Sequence, residues 1–108
     1  MAEQHWEVTF QRIAKRDYQS QLLWLFENRG LRQANAFENK VDRLINDILA
    51  FPEFWPTLDY PRQHIRKALI NSNTLLFYVL AEETHTIHVL AIRGAAEDWT
   101  NQNLLNTD

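Results

Sequence analysis

The chain has 108 residues, a formal charge of −3 with histidine neutral, no cysteine, two glycines and three prolines. That length suits one domain over residues 1–108, and thirteen Phe, Trp and Tyr residues supply enough apolar surface to argue against disorder. Absent cysteine excludes a disulfide scaffold, a thiolate zinc site and a cysteine nucleophile, while the acidic balance denies any general pull on phosphates. A basic site, if there is one, has to be local.

Residues Met1–Glu7 lack the basic start and apolar run of a signal peptide. The apolar runs Leu22–Phe26 and Leu75–Ala81 fall far short of the ~20 residues that span a bilayer. A cytoplasmic protein without membrane contact is expected.

Trp6–Phe10 alternates apolar and polar, as a strand with one buried face does. Ala14, Tyr18, Leu22, Leu25 and Phe26 then form one helical stripe, which Asn28-Arg29-Gly30 ends. Ile13, Leu23 and Trp24 are apolar beyond that stripe. The second helix has the clearest pattern: Ala34, Phe37, Val41, Leu44, Ile45 and Ile48 share a face opposite Glu38, Asp42, Arg43 and Asp47. The short Arg29–Gln33 link predicts an antiparallel helical hairpin.

All three prolines fall between 52 and 61 and stop the second helix. Phe54, Trp55 and Tyr60 are expected to lid one edge of the core. From His64 the period becomes two. A strand is predicted over His64–Ile70, a turn at Asn71-Ser72-Asn73, and a central strand over Leu75–Ala81, apolar on both faces. After the polar turn Glu82–His85, strand Thr86–Arg93 sets Ile87, Val89 and Ala91 opposite His88, Leu90 and Ile92. The tail from about residue 100 is polar apart from Leu104-Leu105. The predicted fold is therefore α+β, in β-α-α-β-β-β order, with an antiparallel β-sheet packed against an N-terminal helical hairpin.

Three phrases in that order resemble the RelE/ParE family of bacterial type II toxin–antitoxin toxins. They are the amphipathic helix running into a proline over Phe37–Pro52, the pair His64–Ile70 and Leu75–Val79, and the last strand with its exit over Ile87–Asp98. The resemblance implies a growth-arresting toxin, associated with plasmid stabilisation and held in check by a cognate antitoxin. Its RelE-like branch cleaves mRNA on the ribosome, whereas its ParE-like branch inhibits DNA gyrase. RNA cleavage at a 2′-hydroxyl needs a base, an acid and cations around the phosphorane. The arginine that RelE-like chains carry three residues before the strand tyrosine is Leu75 here, and their basic cluster after the last strand is thinned to Arg93, with Ala95 in a depleted exit. The C-terminal His-Tyr pair of some relatives is also missing, with Trp99 the nearest aromatic. These departures favour a ParE-like inhibitor with no assigned catalytic residue and no cofactor. The alternatives are an endonuclease using His64, Arg66, Lys67 and Arg93, or a relative that has lost its toxicity.

Arg66, Arg93 and Trp99 are the target-binding candidates under the resemblance. Each also has a structural reading: Arg66 paired with Asp42 or Asp47, Arg93 paired with Glu97 or Asp98, and Trp99 plugging the core. Lys67 reads as a side chain reaching past the sheet edge to solvent. Leu23 and Trp24 fit an antitoxin-binding surface, or equally the interface of a homodimer. His85 and His88 sit three apart on an expected strand, on opposite faces, so no metal site is expected there.

Overall fold

The computed structural model describes residues 5–96. Strand β1 (Glu7–Phe10) is followed by helices α1 (Arg12–Arg29) and α2 (Leu31–Ala50), then β2 (Arg66–Asn71), β3 (Thr74–Ala81) and β4 (Thr86–Gly94). The sheet order is β1-β4-β3-β2. Strands β2, β3 and β4 form the antiparallel meander that their short turns dictate, and β1 joins the edge of β4 in parallel, so the four-stranded sheet is mixed.

The helices cover one face. Phe37, Val41, Leu44 and Ile48 of α2 and Ala14 of α1 meet Ala68, Ile70, Leu76, Tyr78, Ile87, Val89 and Ile92 in the main core. The expected stripe on α1 also packs there through Tyr18, Leu22 and Leu25, whereas Phe26 stays 54% exposed. Opposite lies a smaller cluster of Leu58, Ile65, Leu75, Phe77, Leu90 and Ala91. Burial on both faces explains why β3 reads as an unbroken apolar run.

Gly30 alone separates the two helices. Its φ of 93° lies where side chains are disfavoured, and its N–H donates to the Leu25 and Phe26 carbonyls at 3.0 and 3.2 Å. α2 starts three residues before Ala34, whose N–H bonds the Gly30 carbonyl. The period-two expectation for β4 is corrected. Phe77 pairs with Ala91 but Tyr78 with Val89, leaving Leu90 as an inserted residue. The alternation inverts across this bulge: Ile92 joins Ile87 and Val89 in the main core, and Ala91 joins Leu90 opposite. The aromatic lid is also corrected. Only Trp55 packs on the core, while Phe54 and Tyr60 are 74% and 85% exposed, and buried Leu58 fills the second cluster.

Candidate functional site

At the end of the sheet where the β2–β3 turn meets the exit of β4, the helical hairpin stands off and leaves a cleft of about 800 Å³. Arg29 at the end of α1, Lys40 on α2 and Arg93 on β4 bring three cations to it, with Asn71 and Asn73 from the β2–β3 turn. A negatively charged chain thus gathers three cations around one cleft, a basic site that is local, as its composition demands of any such site. The Arg29 guanidinium stands 5.9 Å from the centre of the Trp24 ring, which also lines the cleft.

Asp17 organises this wall. Its Oδ2 accepts Arg93 Nη1 at 2.6 Å and the Ile92 backbone N–H at 2.9 Å, with both charged side chains largely buried. One carboxylate therefore fixes the strand just beyond its bulge and sets the position of Arg93. The expected partners Glu97 and Asp98 lie outside the described residues, as does Trp99; the observed partner of Arg93 comes from α1. No local signal links positions 17 and 93, because their pairing is created by packing α1 across β4.

Arg66 occupies a different place. Its expected carboxylate partners, Asp42 and Asp47, are exposed on α2, and the guanidinium instead donates to the Trp55 carbonyl at 2.6 Å and the Glu53 carbonyl at 3.2 Å. The segment leaving α2 has no regular partners for these carbonyls, and the Arg66 Nη1 satisfies two of them. Tyr78, the Cα partner of Arg66, donates its hydroxyl to the Pro52 carbonyl at 2.8 Å. Burial pushes the Tyr78 phenol up to about 12, against the opposing pull of Arg66. Tyr18, between the Phe10 and Phe37 rings, is also raised above its ordinary value, first by burial and then by Glu38 and Asp42.

The four side chains of the endonuclease alternative are not brought together. Along β3, the partners of Arg66 and Arg93 are three residues apart, Tyr78 and Leu75, and the two arginines flank β3 on opposite sides. Their Cα atoms are therefore separated by ~10 Å along the sheet and ~10 Å across it. His64 is exposed before β2, and partly buried Lys67 ties its backbone N–H to the Pro56 carbonyl. Leu75 is buried in the second cluster. Leu23 and Trp24, adjacent in sequence, face different ways. Trp24 lines the cleft, whereas Leu23 lines an outer groove between the helices with Phe26 and Ala34. His88 Nδ1 lies 2.8 Å from Gln11 Nε2, and His85, in a turn with φ 51°, meets the Trp6 ring edge-on at 5.1 Å.

No family model and no curated protein matches the chain. Solved structures do. The chain is similar to one in the RelBE2 toxin–antitoxin complex of Mycobacterium tuberculosis, with 19% identity, TM-score 0.61, and coverage of 89% of this chain and 98% of that one. A YoeB/ParE toxin from Agrobacterium tumefaciens matches at 12% identity and TM-score 0.62 over 82% and 96% of the two chains. A conserved hypothetical protein of Helicobacter pylori matches at 13% and 0.52 over 84% and 96%. With its helical hairpin packed on a four-stranded sheet, the chain has the fold of RelE/ParE toxins.

Proposed function

We propose that the chain is the toxin of a type II toxin–antitoxin system, a ParE-like inhibitor that binds DNA gyrase and is neutralised by a cognate antitoxin. The observation that carries the toxin reading, for either branch, is the likeness of the fold to the RelBE2 complex and the YoeB/ParE toxin, over more than four-fifths of the chain. The inhibitor branch draws support from the separation of Arg66 from Arg93 across the sheet. Arg66 is engaged by backbone carbonyls, Arg93 by Asp17, and Leu75 is buried where an endonuclease carries an arginine. Target contact falls to the basic cleft through Arg93, with Trp99 and Arg66 as further candidates. Antitoxin contact falls to Leu23 and Trp24, 57% and 49% exposed, where an amphipathic helix finds an apolar groove beside a charged cleft.

One observation favours the second reading, a RelE-like mRNA endonuclease on the ribosome. The cleft places Trp24 among three cations, and an aromatic ring amid positive charge suits stacked bases and phosphates. Induced expression, followed by a gyrase supercoiling assay and a ribosome-bound mRNA cleavage assay, separates the two. Loss of supercoiling without mRNA cleavage is expected. Cleavage at the ribosomal A site, abolished in a folded Arg93→Ala variant, would overturn the inhibitor reading. Silence in both assays would identify a relative that has lost toxicity.

A further inference from the structure

At the other end of the sheet from the basic cleft, the exit of α2, the start of β1 and the β3–β4 turn enclose a hollow of about 440 Å³. Trp6, Phe51, Pro52, Glu53, Phe54 and Glu82 line it. Its character is the opposite of the cleft's. Phe51 and Phe54 leave 70% and 74% of their surface open, and both carboxylates are exposed. Among the described residues neither Glu53 nor Glu82 is in an ion pair. The Arg66 guanidinium is bonded to the Glu53 and Trp55 carbonyls and to neither carboxylate.

The backbone adds to the same field. α2 ends at this hollow, and its last turn holds Asp47 but no basic residue, so nothing on the helix offsets the negative end of its dipole. Two carboxylates and a helix C-terminus each favour a positive charge, and the surrounding rings supply surface on which a cation can stack. Among the described residues no group of three metal-ligating side chains exists, which points to an organic cation rather than a metal ion. A guanidinium suits the hollow best, since its plane stacks on rings while its fork meets carboxylates.

We propose that this acidic aromatic hollow is a docking site for an arginine side chain of a partner polypeptide. It is independent of the toxin reading and of the basic cleft. The probe is a short blocked glycine–serine peptide with one central arginine, compared with the same peptide carrying neutral, isosteric citrulline. In titrations followed by NMR, the arginine peptide should shift the Trp6 indole and Glu82 amide signals saturably, and the citrulline peptide should bind at least about tenfold more weakly. Combining Glu53→Gln with Glu82→Gln should reduce arginine binding to the citrulline level, and Phe54→Ala should weaken it separately. All three positions are exposed, so preserved amide dispersion will show that the variants are folded. Equal binding of the two peptides overturns the proposal, as does undiminished binding to the folded double variant or a set of shifted signals elsewhere on the surface.

Discussion

Two side chains join elements that share no local pattern. Asp17 is a charged residue on a helix, and only the packing of α1 over β4 gives it two donors. Asp17→Ala removes the acceptor that the Ile92 N–H and the Arg93 guanidinium share, at a cost of about 2 kcal/mol. A lower urea midpoint at unchanged slope would show that loss. Tyr78 anchors the proline segment through its hydroxyl. Its phenol is raised from 10 to about 12 in the folded chain, so the folded state holds a proton that the unfolded chain releases. Stability from this group is full below pH 10 and is lost as pH rises toward 12. In Tyr78→Phe the decline across that window should be shallower, as followed by circular dichroism, and the last tyrosinate absorbance step should vanish.

At the scale of elements, sequence periodicity was informative wherever one face was buried against one partner. α2 shows this most clearly, since Ala34, Phe37, Val41, Leu44 and Ile48 of its expected stripe are its buried residues. Periodicity misled at β4, because an alternating pattern carries no sign of an inserted residue: His88, Leu90 and Ala91 are each acceptable on either face. The bulge shows only when Tyr78 and Phe77 choose their partners. The partner of Arg66 was illegible for a related reason. Backbone carbonyls are present at every position, and only the path of the chain after Pro52 decides which ones lack a partner. Gly30 was the readable turn. No atom lies within 4 Å of a Cβ added there, so Gly30→Ala carries backbone strain alone, about 1–2 kcal/mol at a φ of 93°. Thermal unfolding should show that loss without a change in the folded spectrum.

Across the whole molecule, charge is segregated. The basic cleft and the acidic hollow occupy opposite ends of the sheet, and the apolar groove with Leu23 runs along the outside of the hairpin. A partner that wraps the chain would meet all three chemistries in turn. Replacing half-exposed Leu23 and Trp24 together by serine should lower stability by roughly 1–2 kcal/mol while leaving the chain folded, because half of each side chain is buried and Trp24 meets Arg29. Under the proposed toxin function, the same double variant should bind the antitoxin at least about tenfold more weakly, read by isothermal titration. Retained affinity would move the antitoxin contact away from the hairpin.

The parallel pairing of β1 with β4 has a consequence for the birth of the protein. Val8 and Ile87 are partners although about eighty positions apart, so β1, made before the other described strands, is also the one that waits longest for its neighbour. Contacts so distant in sequence form late and slowly. While the chain is still on the ribosome, the helical hairpin can form but has no complete sheet to pack on, because β4 has yet to emerge. The basic cleft, walled by α1 and β4 together, therefore comes into existence only once β4 has emerged.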